Sequence, residues 1–272
     1  MVLKMLTSKK LSKKANCKIN IGLRVVRKRE DGYHDIETVF YPIYGLYDEL
    51  EVHHAVSPIV GGIAFCQKGI QVDCDPEKNL VIRCYRLMRS HYPQIGDVAV
   101  TLTKKVPFGA GLGGGSSDAA HMAIALNELF HLGLSQADLA REVRALGADC
   151  PFFIYNVPCR AEGIGDILTP IDLSWQGKRL VMIKPNVYVS TKEAYSGVVI
   201  GGEDKQKNYF EDTIFALHPE LGDIKQRLLD AGAEYAAMSG SGSTLYGVFA
   251  ATCNTEALHK EYGDTLIFDQ VL

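Results

Sequence analysis

The sequence predicts an α+β protein of two domains. Strand-like stretches dominate the first region, at residues 17–26, 38–43, 49–53, 62–66, 70–72 and 98–103. From residue 179 the order is strand, helix, loop, helix, strand, strand, short helix, strand, which suits a ferredoxin-like layer. The composition changes near residue 160, where CRAEGIGD and LSWQGK separate the ordered segments. We therefore predict an N-terminal domain of residues 1–160 and a C-terminal domain of residues 161–272.

Turn signals and periodicity locate the individual elements. Asp31-Gly32 predicts a hairpin turn after the first strand, and Asn79 opens a helical pattern of apolar residues. In the second domain, apolar residues at helical spacing predict one clear helix: Leu221, Ile224, Leu228 and Leu229. Residues 234–238 and 244–249 are predicted to be paired strands.

Two further helices of the first domain are predicted from their capping signals. Ser116 or Ser117 is expected to cap a helix whose broad apolar surface indicates burial. Ser135 with Asp138 forms a capping box for the following helix, and Gly147 is expected to close it.

Composition excludes several classes of protein. A net charge of −3, with basic and acidic residues interspersed, gives no footprint for nucleic acid. No apolar run approaches the roughly 18 residues of a membrane span. The seven cysteines include no C-x-x-C pair, which indicates small core residues in a reducing cytoplasm. The basic, acid-free start, MVLKMLTSKKLSKKA, has some likeness to a targeting peptide but lacks a secretory h-region, so we expect a frayed terminus that leads into a strand. We also expect a cytoplasmic protein, and no obligate protein partner is evident.

The segment GAGLGGGSS joins a predicted strand to a predicted helix and has two interpretations. Glycines permit a tight connection because they adopt positive φ without a Cβ clash. Five glycines among residues 109–115 exceed that need, and each costs conformational entropy on ordering. The excess glycines favour a loop whose backbone amides converge on an anion at the start of the helix, and phosphate is the anion that we expect there. The segment is not a Walker loop and is a poor dinucleotide fingerprint.

A second glycine-rich segment, MSGSGSTLYGVF, begins at Met238 in the other predicted domain. It is either a hairpin turn or a backbone that approaches a nucleotide. Two such loops in different domains predict a cleft between them.

With KINIGL after the basic start, these segments stand in the order of three motifs of the GHMP kinases. The family takes its name from galactokinase and the homoserine, mevalonate and phosphomevalonate kinases, and the motifs span nearly the whole chain. The resemblance implies an N-terminal domain like domain 2 of ribosomal protein S5 and a ferredoxin-like C-terminal domain. It also implies an enzyme that phosphorylates a small-molecule alcohol with ATP, with Mg²⁺ expected to offset phosphate charge.

Four details are similar to the family members that phosphorylate 4-diphosphocytidyl-2-C-methyl-D-erythritol in the non-mevalonate route to isoprenoids. They are the triple glycine of GLGGGSSDAA, DGYH after the first strand, GADCPFF, and CRAEGIGDILTPI. The resemblance implies transfer to the 2-hydroxyl of this cytidine diphosphate substrate. Two alternatives stay open: another small-molecule kinase of mevalonate or homoserine type, and a non-catalytic nucleotide-binding protein of the same fold.

The catalytic roles follow from matching residues to the family's motifs. Asp149 matches the aspartate that accepts the proton of the hydroxyl, although its local sequence alone favours a position beside a helix cap. Lys18 would otherwise be a solvated strand lysine. Its match implies that it holds Asp149 ionised and orients the hydroxyl. Cys17 stands where many relatives have alanine.

The resemblance also implies two sets of binding residues. The ATP set is Asn79, Leu80, Lys104, Pro107, Phe108, Gly109, Ala110, Gly111, Leu112, Gly113, Gly114, Gly115, Ser116 and Ser117. The substrate set is Tyr33, His34, Tyr195, Ser239, Gly240, Ser241 and Gly242, with Tyr33 and Tyr195 stacking on cytosine and Tyr188 as the substitute for Tyr195. No metal ligand is assigned, because a carboxylate at Asp118 would repel phosphate unless it faces away or holds the metal through water.

Overall fold

A computed structural model of the protein describes residues 10–71 and 75–272, which form ten strands and eight α-helices. The strands are β1 (Lys10–Lys28), β2 (His34–His54), β3 (Ile63–Gly69), β4 (Val98–Lys104), β5 (Cys159–Glu162), β6 (Ile167–Pro170), β7 (Lys178–Ile183), β8 (Tyr235–Met238), β9 (Leu245–Ala250) and β10 (Leu266–Val271). The helices are α1 (Leu80–His91), α2 (Gly114–Leu129), α3 (Gln136–Arg144), α4 (Cys150–Tyr155), α5 (Thr191–Tyr195), α6 (Phe210–Leu217), α7 (Pro219–Asp230) and α8 (Glu256–Tyr262). Residues 1–9 of the basic start, the end of the strand predicted at 70–72 and Cys74 lie outside the described residues, whereas residues 10–15 of the basic start belong to β1.

The chain divides into two compact units that alternate along the sequence. Unit 1 comprises the residues up to Asn16, Tyr47–Val106 and Gly114–Asn156, and unit 2 comprises Cys17–Leu46, Pro107–Gly113 and Val157–Leu272. This differs from a single division at residue 160, because β1 and β2 each contribute one half to each unit. A strand pattern shows that a segment is extended but not which unit each half joins. The boundary at residue 160 stays a prediction.

Unit 1 combines part of a sheet with four helices. The second half of β2 pairs antiparallel with β4, from Glu49 opposite Thr103 to His54 opposite Val98. Strand β3 lies parallel on the other side of β4. Helix α2 packs against α1, α3 and α4 and is buried over most of its length, as its apolar surface predicts.

Unit 2 contains a four-stranded antiparallel sheet in the order β10-β7-β9-β8. This is the arrangement expected of the predicted ferredoxin-like layer, and helix α6 is an addition to the predicted order. Its core joins Leu23 and Val25 of β1 to apolar residues of the sheet and of α5 to α8. The first half of β2 pairs with β5, and β5 pairs with β6.

Capping signals predict some helix starts and miss one. Asn79 caps α1 by accepting a hydrogen bond from the Val81 amide at 2.9 Å, and Ser135 with Asp138 forms the predicted capping box of α3. The cap predicted at Ser116 or Ser117 is wrong, because α2 begins at Gly114 and both serines lie in its first turn. A glycine at a helix start gives no side-chain signal.

Two composition-based predictions have mixed or limited outcomes. Of the cysteines in the described ranges, Cys17, Cys84, Cys150 and Cys159 are buried as predicted, whereas Cys66 is exposed. Among the helices of residues 10–71 and 75–272, none has the length and apolar character needed to cross a membrane.

Candidate functional site

The two glycine-rich segments meet within unit 2, at Gly111 and Ser239. Gly111 has a φ of +75°, and a Cβ there would lie 2.0 Å from the Ser239 carbonyl oxygen. The Ser239 hydroxyl donates to the Gly111 carbonyl oxygen at 2.9 Å. Only glycine permits this approach, because any other side chain would occupy the place of the neighbouring backbone. Hereafter Pro107–Gly113 is called the glycine loop and Ser239–Gly242 the second loop.

Lys18 hydrogen bonds to the glycine loop beside this contact. Its ammonium group donates to the Gly111 carbonyl oxygen at 3.1 Å and to the Asn20 side-chain oxygen. Its backbone amide donates to the Leu112 carbonyl oxygen at 3.0 Å, and the residue is only 4% exposed. The alternative of a solvated strand lysine is therefore wrong.

Asn20 connects Lys18 to the second loop and was not among the predicted residues. Its amide nitrogen donates to the Thr38 hydroxyl at 3.1 Å, and its backbone N–H donates to the Ser239 hydroxyl at 3.2 Å. Thr38 also lines a cavity of about 140 Å³ with the cationic residues Arg24 and Arg160. The available signal is spacing, since Asn20 lies two residues after Lys18 on the same face of a buried strand.

Asn208 supports the second loop from the segment before α6. Its amide nitrogen donates to the carbonyl oxygens of Met238 and Gly240, both at 2.8 Å, and the residue is 1% exposed. Glu211 accepts the Met238 N–H at 2.8 Å. Burial raises the pKa of Glu211 although Lys225 opposes the shift. Sequence reasoning missed both residues because their partners lie about 30 residues away in the chain.

The aromatic residues predicted to bind substrate fall into two places in unit 2. The rings of His34 and Tyr195 stack with centroids 4.5 Å apart and an interplanar angle of 19°. Tyr195 also meets Phe210 edge-on. Tyr33 is 62% exposed, and Tyr188, which is 71% exposed, lies against Gly109. The structure therefore brings Tyr195 to His34 and Tyr188 to the glycine loop, and the cytosine-stacking roles stay predictions.

In unit 1, the segment that contains Asp149 lies beside the start of α2. The Cys150 thiol hydrogen bonds with Ser116, and burial raises the pKa of this thiol to about 12. A Cβ on Gly147 would lie 3.9 Å from the Ser116 hydroxyl oxygen. Asp149 stands at the N-cap position of α4, but its carboxylate does not make the cap hydrogen bond. Asp149 therefore lies at the helix start that its local sequence predicts, although it does not cap the helix with its side chain.

Of the predicted nucleotide residues, Leu80 also lies beside this helix start. The Leu80 side chain comes within 3.8 Å of the position that a Cβ on Gly115 would take. Asn79 precedes Leu80 as the cap of α1, and the nucleotide-binding role of both residues stays a prediction.

Lys104 makes a buried ion-pair cluster with two carboxylates of unit 1. Its ammonium group contacts Asp118 at 2.7 Å and also Asp48, and all three side chains are at most 5% exposed. Burial lowers the pKa of Lys104, but the two carboxylates outweigh it and raise the pKa overall. The carboxylates thus engage the Lys104 ammonium, and its contact with ATP stays a prediction.

The Asp118 carboxylate is buried against Lys104. Burial is the main cause that raises its pKa to about 7, and Asp48 adds to it, while Lys104 opposes the shift. The Lys104 ammonium group, at 2.7 Å, opposes the negative charge that Asp118 brings to the start of α2.

Residues 10–71 and 75–272 contain no group of three or more His, Cys, Asp and Glu side chains that could hold a metal ion. A cavity of about 580 Å³ near α6, α7 and β8 is lined by none of the predicted site residues.

Comparison with protein families matches both regions of the chain. Residues 79–156 match the GHMP kinases N terminal domain, and residues 201–259 match the GHMP kinases C terminal domain. The chain is 45% identical to the 4-diphosphocytidyl-2-C-methyl-D-erythritol kinase of Azobacteroides pseudotrichonymphae, over 86% of this chain and 91% of that protein. It is 44% identical to the enzyme of the same name from Bacteroides thetaiotaomicron, over 86% and 90% of the two chains.

Solved structures agree with the sequence relatives. A crystal structure of 4-(cytidine 5'-diphospho)-2C-methyl-D-erythritol kinase superposes with a TM-score of 0.78 and 32% identity, covering 94% of this chain and 96% of that one. Homoserine kinase from Cytophaga hutchinsonii gives a TM-score of 0.67 at 17% identity, covering 96% and 92%. The second likeness shows the fold alone.

The contact between the two loops predicts the effect of Gly111→Ala. We expect a loss of unfolding free energy larger than the about 1 to 2 kcal/mol that positive φ alone costs a non-glycine residue. Gly133→Ala is the matched control, because Gly133 has a φ of +72° with nothing within 4 Å of its Cβ position. Urea unfolding measures both variants, and equal losses would contradict the close approach at Gly111.

The raised pKa of Asp118, at about 7 against an ordinary 3.8, predicts the pH dependence of Asp118→Asn. Between these values the folded state holds a proton that the unfolded state releases, so the wild type loses stability as pH rises. We expect the unfolding free energy of Asp118→Asn, relative to that of the wild type, to increase from about pH 4 to about pH 7 and to remain constant above about pH 7.

Asp138→Asn is the control for which we expect the opposite pH dependence of stability, because the Ser135 hydroxyl lowers the pKa of Asp138. Urea unfolding at each pH measures both differences. If the unfolding free energy of the wild type instead increases relative to that of Asp118→Asn as the pH rises, the pKa of Asp118 is lowered rather than raised.

Proposed function

The chain belongs to the GHMP kinases, and we propose that it transfers the terminal phosphoryl group of ATP to the 2-hydroxyl of 4-diphosphocytidyl-2-C-methyl-D-erythritol. The hydroxyl oxygen forms a bond to the γ-phosphorus while the bond from that phosphorus to the β,γ-bridging oxygen breaks. The products are ADP and the 2-phosphate, and the hydroxyl proton passes to a carboxylate of the enzyme.

The choice of acceptor rests on one observation: relatives named for this acceptor are up to 45% identical and align over 86% of this chain. The likeness to homoserine kinase is 17% identical and supports only the fold. The proposed reaction transfers a phosphoryl group from ATP to a small-molecule acceptor in the non-mevalonate route to isoprenoid precursors. A cytoplasmic location is part of the proposal.

The glycine loop and the first turn of α2 are proposed to receive the triphosphate. Backbone amides of the loop and the unpaired amides at the start of a helix favour an anion. The Lys104 ammonium group contacts the Asp118 carboxylate at 2.7 Å, which supports this role because it opposes the negative charge of Asp118. Mg²⁺ is expected with ATP, where it offsets charge on the phosphate oxygens.

Asp149 and Lys18 are proposed as the catalytic residues. Asp149 accepts the proton of the 2-hydroxyl, and Lys18 orients that hydroxyl. One observation supports these roles: the Lys18 ammonium group is held against the Gly111 carbonyl oxygen at 3.1 Å. Tyr33, His34 and Tyr195 are proposed to bind the cytidine end, and the 62% exposure of Tyr33 leaves its ring able to stack on a base.

An ADP-release assay with four acceptors tests the proposed function. The cytidine diphosphate substrate, mevalonate, homoserine and galactose are each supplied with ATP and Mg²⁺, and a reaction without acceptor gives the background hydrolysis. We expect turnover with the cytidine substrate alone. Turnover only with one of the other three would assign a different kinase of the family, and ATP binding without any turnover would favour a non-catalytic nucleotide-binding protein.

Asp149→Asn tests the proposed base. Because the amide keeps the shape of the side chain but cannot accept the proton, we expect kcat to fall about 100-fold or more while ATP affinity is retained. Asp138→Asn, at the exposed start of α3, is the control and is expected to keep normal turnover. Steady-state kinetics and nucleotide titration measure both, and near-normal kcat in Asp149→Asn would remove this residue from the mechanism.

A further inference from the structure

Asp48 is a fully buried carboxylate on β2 that neither the motifs nor the proposed mechanism uses. One of its oxygens accepts the backbone N–H of Lys105 at 2.5 Å and that of Val106 at 2.8 Å. The other accepts the Lys104 ammonium group. All three donors belong to consecutive residues that lead from β4 into the glycine loop. Asp48 therefore holds the point at which the loop leaves the sheet.

The same cluster reaches the point at which the chain enters α2. Lys104 bridges Asp48 to Asp118, which lies within the first two turns of that helix. A Cβ on Gly114, the first residue of α2, would lie 3.0 Å from the Val106 side chain and 3.5 Å from the Lys104 nitrogen. The start of α2 thus rests directly on the residues that Asp48 holds.

A carboxylate is well suited to this position. The Val106 side chain is completely buried, and a buried N–H without a partner costs about 1 to 3 kcal/mol. One Asp48 oxygen accepts this N–H and the partly buried N–H of Lys105, and the Lys104 ammonium compensates its charge. The neighbouring pair between Glu49 and Lys105 is exposed at 43% and 47%, so it contributes little to the same strand.

We propose that Asp48 is a positioning residue for ATP binding, because it fixes where the glycine loop leaves β4 and where α2 begins. It acts through Lys104, Lys105 and Val106 and does not touch the nucleotide. The proposal rests on the proposed function only in taking ATP as the ligand of the glycine loop.

The test compares Asp48→Ala, Asp48→Asn and the control Glu49→Gln. Calorimetric titration with ADP and with a non-hydrolysable ATP analogue gives the nucleotide Kd, and steady-state kinetics give kcat and both KM values. Asp48→Ala removes all three bonds, so we expect nucleotide affinity to fall about tenfold or more while the acceptor KM changes less than about twofold. Asp48→Asn keeps an oxygen for the two backbone donors and is expected to recover part of the loss. Glu49→Gln is expected to bind like the wild type.

Three results would overturn the proposal. The first is a lower melting temperature with unchanged nucleotide affinity, which would make Asp48 purely structural. The second is an equal rise in both KM values, and the third is an equal loss of nucleotide affinity in Glu49→Gln. If Asp48→Ala does not fold, Asp48→Asn decides: affinity below that of Glu49→Gln supports the proposal, and equal affinity rejects it. Because the nucleotide titration needs no acceptor, it still tests the role of Asp48 if the acceptor assay rejects the proposed substrate.

Discussion

The approach of two backbones at Gly111 is the constraint on which the rest of unit 2 depends. A Cβ at this residue would lie 2.0 Å from the Ser239 carbonyl oxygen, so the two loops meet only if the residue is glycine. Once they meet, the Gly111 carbonyl oxygen accepts from both Ser239 and Lys18. Asn208 then holds the second loop in place. The conformational entropy that glycine loses on ordering is thus offset by buried polar contacts.

Unit 1 uses a buried ion-pair cluster for a similar purpose. Asp48, Lys104 and Asp118 link the strand before the glycine loop to the helix after it. The Asp118 carboxylate is buried in this cluster, and burial raises its pKa to about 7.

Sequence reasoning succeeded where the signal is local and failed where the partner is distant. The cap at Asn79 and the capping box at Ser135 need only neighbouring residues, and both are present. The 21 residues of β2 form one strand although two were predicted, and they join two units that no local pattern separates. Asp48 reads as an ordinary strand residue, because its bonds reach 56 to 58 residues along the chain. Such residues take their roles from burial, which a single sequence does not show directly.

Amide hydrogen exchange with and without ATP tests the central claim most directly, namely that a loop with anchored ends receives the phosphates. The Lys105 and Val106 amides donate to Asp48, so the account predicts that both exchange slowly before nucleotide is added. The amides of residues 109–117 are then predicted to slow when ATP binds. Fast exchange at Lys105 and Val106 without ATP, or no change at residues 109–117 at saturating ATP, would contradict the account.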